Sequence, residues 1–306
     1  MKTKNFMKRA MLFACAVATL GFTSCNDNDN DDIKPSQVPA AVQEAFSRTF
    51  PGVNAASAEW EYKQQAQQRY LVASFWKDGV EHDAWFTSEG QWTLTEQDFA
   101  RETNRLPQVV QDAFRATTYA QSPWVVEDID VIRRNGYEPF YVIEVEQGSR
   151  EVDLYFDANG KLLKELQDTD QSDDNQAGFL PQQIPAEIQS YVDNHFRGGR
   201  IVELEREQGN WELDLISAEG YSVEIVFDAP YQWLSTTTDY RRDQIPAAVN
   251  QSVKSKYPAA HIDDAELLQN TQNTDGKYVV EIENPDRLLT LSLDGTILTD
   301  TPVVDD

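Results

Sequence analysis

Four segments of this chain begin alike: Val38-Pro39-Ala40-Ala41-Val42, Leu106-Pro107-Gln108-Val109-Val110, Ile184-Pro185-Ala186-Glu187-Ile188 and Ile245-Pro246-Ala247-Ala248-Val249. A proline opening an amphipathic stretch fits the first helical turn, where a missing N–H costs nothing. Apolar residues then recur at helical spacing: Val42, Ala45, Phe46 and Phe50, then Val110, Ala113 and Phe114. Ile188, Tyr191, Val192 and Phe196 continue the pattern, as do Val249, Val253 and Tyr257. That periodicity predicts one buried helical stripe per copy. Pro51 and Pro258 end two of these helices.

Strand-like alternation follows each helix. Trp211, Leu213 and Leu215 alternate with Glu212 and Asp214; Val223, Ile225 and Phe227 with Glu224 and Asp228. Val152, Leu154 and Phe156 alternate with Asp153 and Asp157, and Tyr278, Val280 and Ile282 with Glu281 and Glu283. A period of two with one acidic face predicts antiparallel strands, buried on one side and wet on the other. Asn159-Gly160 and Asp294-Gly295 supply the positive φ of tight hairpins, and Ser88-Glu89-Gly90 is the matching spot in the first copy. Asp228-Ala229-Pro230 stands there in the third and demands another turn type.

The expected fold class is therefore α+β: tandem repeats of one helix packed on an antiparallel four-stranded meander. The repeats span 37–104, 105–167, 178–241 and 242–302. A single unit of about 60 residues would be marginal alone. The proline-to-proline spacings are 68, 78 and 61, and the longest contains the acidic, polar stretch Gln167–Gly178. The copies thus pair into two domains, 37–167 and 178–302, joined by a linker.

Ahead of the repeats, Met1–Arg9 is basic and Ala10–Leu20 is an apolar run of eleven, followed by Gly21-Phe22-Thr23-Ser24-Cys25. Eleven residues span about 16 Å as a helix, roughly half a bilayer core, which argues for a signal peptide over 1–24 rather than an anchor. Phe-Thr-Ser-Cys resembles a bacterial lipobox, with Phe22 where leucine is commonest. The resemblance implies that Cys25 becomes the first mature residue and carries acyl chains. The alternative is a plain secretory signal with an incidental cysteine. Residues 25–36 (CNDNDNDDIKPS) read as an acidic, extended tether. A calcium loop fails there because Asp32 stands where glycine is needed and Val38 where glutamate is. An acidic run after the cysteine also resembles the surface-export signal of some Gram-negative lipoproteins. Periplasmic and surface-exposed placements on the outer membrane both stay open.

A lipid-anchored chain of tandem helix-plus-meander units resembles the PepSY-like family, whose fold is likened to that of the beta-lactamase inhibitor protein. The residues that carry the resemblance are Pro39, Pro107, Pro185 and Pro246, the helix ends Phe50-Pro51 and Tyr257-Pro258, and the turns at Gly160 and Gly295. It implies two beta-lactamase-inhibitor-like domains and protein or peptide binding on the sheets. It carries no catalytic residue across.

Chemistry in the residues themselves is sparse. Lys and Arg number 26 against 52 Asp and Glu, giving a formal charge of −26. The four basic residues of the leader (Lys2, Lys4, Lys8, Arg9) leave the remainder more acidic still. Nucleic-acid binding and docking on anionic lipid through a basic face are excluded, since both neutralise phosphate with Lys and Arg. His82, His195 and His261 show no ligand spacing, and solvated histidines are expected. Glycine patterns for nucleotides and serine nucleophile elbows are absent. Acids on wet strand faces should keep ordinary pKa values, so the chain is expected to be no enzyme and to hold no metal or cofactor.

Aromatic residues carry the binding expectation. Phe75 and Trp85 alternate out of phase with the expected core positions Val72, Trp76 and Phe86, and Tyr155 falls beside Asp153 and Asp157. Phe75, Trp85 and Tyr155 then form a candidate binding face for a protein or peptide. Packing between domains could instead cover them, and a register slip of one would exchange the faces. A glycan-binding lipoprotein, with aromatic rings stacked on sugars, and an inhibitor of an envelope peptidase are the alternative readings.

Overall fold

A computed structural model describes residues 32–65, 68–168 and 179–303. The leader and Cys25 lie outside the described residues. Two antiparallel sheets run through the structure, each a meander in strict sequence order. Sheet 1 contains β1 (Asp32–Ile33), β2 (Glu59–Gln65), β3 (Gln68–Lys77), β4 (Val80–Thr87), β5 (Trp92–Asp98), β6 (Val125–Arg134), β7 (Phe140–Gln147), β8 (Arg150–Phe156) and β9 (Leu162–Asp168). Helix α1 (Ala40–Thr49) precedes β2 and α2 (Gln108–Ala116) precedes β6. Sheet 2 contains β10 (Arg200–Glu207), β11 (Asn210–Ile216), β12 (Ser222–Phe227), β13 (Trp233–Asp239), β14 (His261–Asn270), β15 (Asn273–Glu283), β16 (Arg287–Leu291) and β17 (Ile297–Pro302). Helix α3 (Ala186–His195) precedes β10 and α4 (Ala247–Lys256) precedes β14.

Pro39, Pro107, Pro185 and Pro246 stand one residue before their helices, extended, as N-caps without a capping side chain. In three of the four helices an amide four residues on binds back to the carbonyl of the residue before the proline. Gln43 Nε2 donates to Val38 O and Gln111 Nε2 to Leu106 O, both at 2.8 Å, and Asn250 Nδ2 donates to Ile245 O at 3.1 Å. This ties the chain entering α1, α2 and α4 to the first turn and satisfies a carbonyl ahead of the helix; in α3 the corresponding Gln189 donates to Asp193 Oδ1 at 2.9 Å instead.

Each helix presses its apolar stripe on one face of its sheet. Phe46 of α1 is fully buried, with Phe75 edge-on at 5.0 Å and Trp60 at 5.4 Å. Val110 and Phe114 of α2 meet Ile143, Leu154 and Phe156; Ile188 and Val192 of α3 meet Leu213, Ile225 and Phe227. Val249 and Val253 of α4 meet Val280 and Leu289. Burying each large apolar side chain contributes about 2 kcal/mol, which offsets the ordering of short helices unstable in isolation. A hairpin turn closes over the start of the helix. Gly160 has φ +83, and an added Cβ would stand 2.8 Å from Val109 O of α2. Only glycine combines that backbone with that approach. At the turn between β12 and β13 Tyr231 takes φ +67, so a non-glycine residue adopts the left-handed turn there.

Strands β5 and β6 pair directly, so the strands after α1 and α2 form one continuous sheet; β13 and β14 do the same in sheet 2. All four helices lie on the same side of their own sheet. The opposite faces are left for other work.

Candidate binding surface

The face of sheet 1 away from its helices has an apolar band. Val72, Trp85, Leu94, Ile132, Phe140 and Tyr155 run across it as one cluster, and Val202 and Ile216 of sheet 2 pack on it. Phe179 closes one side, 5.6 Å from the Phe140 ring. Arg134, 4 % exposed, lies 4.6 Å from the rings of both Tyr137 and Phe140. It pairs with Glu203 at 2.9 Å and donates to Val202 O. A buried guanidinium is tolerated because carboxylate, carbonyl and ring faces together replace its water.

Two of the three aromatics expected to be exposed are in this band. Trp85 is 1 % and Tyr155 6 % exposed because sheet 2 covers them. Phe75 is also buried, but against α1, packed on Phe46 and Phe50. The expected register of β3 is therefore corrected. Leu71, Ala73 and Phe75 face the helix, while Val72 and Trp76 face away. Trp76, expected in the core, is 67 % exposed.

The turn between β8 and β9 drives into the face of sheet 2. Ser222 Oγ donates to Asp157 Oδ2 at 2.5 Å, and Asn159 Nδ2 donates to Gly220 O and Ser222 Oγ at 3.1 Å. Lys161 follows. Its Nζ lies 3.1 Å from Asp239 Oδ2 and 3.6 Å from both Asp214 Oδ1 and Glu224 Oε2. Three carboxylates hold its pKa well above the ordinary lysine value although burial opposes the charge. Lys164, one strand step further, pairs with Glu205 at 3.0 Å.

Beyond the covered band, sheet 1 carries acids in adjacent rows. Cross-strand register sets Asp83 beside Glu96, Asp98 beside Asp130, Asp128 beside Glu144, and Glu144 beside Asp153. Burial and mutual repulsion push Glu96 and Glu144 up to about 7, Asp128 to about 6 and Asp130 to about 10. Oxygens of Asp98, Asp128 and Asp130 lie within 4.8 Å of one another, a donor set able to hold a hard cation. The carboxyls of Glu96 and Asp130 hydrogen-bond to each other, which favours keeping a proton on Asp130. Ordinary carboxylate pKa values were expected here. Like charges stacked across neighbouring strands and withdrawn from water overturn that expectation.

His82 is buried rather than solvated: Nδ1 lies 3.0 Å from Val80 O, Nε2 2.8 Å from Gln97 Nε2, and the ring stacks on Phe75 at 5.1 Å. Burial lowers its pKa. His195 and His261 are exposed. Lys161 and Arg134 were not anticipated from the sequence. Among the described residues no helix is long and apolar enough to cross a membrane.

A family profile described as beta-lactamase-inhibitor-like, PepSY-like matches residues 69–164, 173–228 and 216–299. Among solved structures, the chain is similar to a BLIP-like protein from Bacteroides fragilis at 33% identity, covering 44% of this chain and 89% of that one, with a TM-score of 0.38. A DUF2874 family protein from Bacteroides ovatus is 29% identical, covering 42% of this chain and 86% of its own, with a TM-score of 0.37. No curated protein matches the sequence.

Proposed function

Because the chain belongs to the beta-lactamase-inhibitor-like, PepSY-like family, we propose that it is a non-catalytic envelope protein that binds a protein or peptide on the open half of sheet 1. In this reading the chain is four copies of one helix-and-four-strand unit, paired into domains over 37–167 and 178–302. Cys25 carries the lipid and the acidic stretch after it holds the domains off the membrane, a shorter spacer than residues 25–36 because Asp32–Ile33 already pair with β2. The observation that carries it is the asymmetry of the two helix-free faces. Sheet 2 receives the Lys161 turn, whereas the acidic rows of sheet 1 end at the exposed indole of Trp76. An aromatic edge beside desolvated charge is a surface suited to a polypeptide partner.

Site-specific photo-cross-linking in producing cells tests it. A photoreactive residue at position 76 is expected to capture a discrete polypeptide, and the same residue at Glu44, on the outer side of α1, none. Equal capture at both positions, or none at 76, contradicts the reading.

A further inference from the structure

Sheet 2 meets the apolar band of sheet 1 through an edge strand. β10 pairs with β11 on one side, and its register shifts between Ile201 and Glu203, so Val202 is a bulge residue. What β10 offers there is what any extended acidic peptide offers: main-chain carbonyls, an apolar side chain and spaced carboxylates. The donors come from the sheet 1 half. Glu138 N donates to Ile201 O at 2.6 Å, and Arg134 Nη2 donates to Val202 O. Arg134 Nη1 donates to both carboxylate oxygens of Glu203, at 2.9 and 3.1 Å. Lys164 Nζ donates to Glu205 Oε2 at 3.0 Å and lies 4.9 Å from the Tyr155 ring.

The fit is incomplete. Trp85 and Arg134 are both buried, yet Trp85 Nε1 and Arg134 Nε have no hydrogen-bond partner among the described residues. Buried donors left unpaired weaken a contact, so a segment that brings acceptors to them binds the band better than β10 does. The two halves are also separable. Helices α1 and α2 pack on sheet 1, and α3 and α4 on sheet 2, in clusters distinct from the band. The chain passes from one sheet to the other once, between β9 and β10. Parting the sheets therefore uncovers Trp85, Phe140 and Tyr155 while each helix stays on its own sheet.

We propose that the covered half of sheet 1 is a docking site for an extended acidic segment of another protein, and that β10 holds this site closed in cis. The segment resembles Val202-Glu203-Leu204-Glu205: an apolar residue for the aromatic band, then carboxylates for Arg134 and Lys164. Charge complementarity favours that occupant, because Arg134 and Lys164 stand on the band in a chain whose formal charge is −26. The site goes beyond the open half of sheet 1 and does not depend on a partner binding there.

Native-state thiol labelling of the full chain tests it, with Cys15→Ser and Cys25→Ser leaving one introduced cysteine. Val202→Cys reports the junction, and Val110→Cys and Val280→Cys report the cores of sheet 1 and sheet 2; all three positions are fully buried. With an aromatic disulfide reagent, Val202→Cys is expected to react about a hundredfold faster than either core thiol, since local opening precedes global unfolding. A peptide with the sequence of residues 200–207 should then speed that reaction saturably by holding the junction open. The peptide carrying Glu203→Gln/Glu205→Gln should act about tenfold more weakly. Arg134→Met in the full chain should abolish the difference between the two peptides. Equal rates at all three thiols overturn the proposal, as do peptides that act alike or not at all on the unsubstituted junction. Dimerisation on opening, read by light scattering, also overturns it, because a second copy would then be the occupant. Cross-linking at position 76 is independent of these outcomes, so either site can fail while the other stands.

Discussion

Lys161 Nζ, at the turn that ends sheet 1's last hairpin, lies 3.1 Å from Asp239 Oδ2 at the end of β13 in sheet 2. The two residues belong to different sheets and are 78 positions apart in sequence. Their contact sits at the centre of a charge cluster that burial would otherwise make untenable. An ammonium among three carboxylates keeps its proton, and the carboxylates gain a counter-charge.

Replacing Lys161 with methionine keeps the stem's packing and removes the charge. Asp214, Glu224 and Asp239 would then face each other unneutralised. Loss of one partner of a buried ion pair costs about 3 kcal/mol. Urea unfolding should show that loss, and Asp239→Asn in the same chain should restore part of it.

Stability should fall as pH rises from about 5 to about 8. Burial and neighbouring acids raise Asp128 to about 6, Glu96 and Asp214 to about 7 and Glu266 to about 8. Between the ordinary carboxylate value and these, the folded chain holds protons that the unfolded chain has released. Protons bound by the folded state are then withdrawn against a cost, so each step upward in pH favours unfolding. Thermal unfolding at pH 5.5 and pH 8.5 measures the difference, with the higher midpoint expected at pH 5.5.

Two glycines separate backbone strain from close packing. Gly136 has φ +85 with nothing near an added Cβ, and Gly160 has φ +83 with Val109 O 2.8 Å from it. Gly136→Ala should cost about 1 kcal/mol, the left-handed penalty alone. Gly160→Ala should cost about 3 kcal/mol, because the α2 backbone must also move. Chemical denaturation of both variants provides the comparison.

The two tryptophans on the helix-free face should respond oppositely. Trp76→Ala, at a 67 % exposed position, should leave stability within about 0.5 kcal/mol. Trp85→Ala removes a fully buried ring from the junction between the sheets and should cost about 4 kcal/mol. Equal effects would mean that the face is not divided as described.

Much of the architecture was legible because local rules agree with the global fold. The four prolines mark helix starts, and Val42, Phe46, Val110 and Ile188 are fully buried where their spacing placed them. Strand β3 was misread because Leu71-Val72-Ala73-Ser74-Phe75-Trp76 is apolar in both phases, so alternation cannot choose a face. Trp85 and Tyr155 point as their phase implied, yet sheet 2 covers them, and a contact between such distant segments leaves no periodic trace. The raised carboxylates were hidden for a similar reason. Each acid looks solvated on its own strand, and only cross-strand register stacks Asp83 beside Glu96 and Asp98 beside Asp130.

The most direct measurement is a side-chain carboxyl ¹³C NMR titration of the full chain. If sheet 1 presents a desolvated acidic surface, the cluster of Glu96, Asp128 and Asp130 retains at least one proton above pH 7. Complete ionisation of all three below pH 5 would mean that these carboxylates are freely solvated, and sheet 1 would not present the desolvated acidic surface proposed for partner binding.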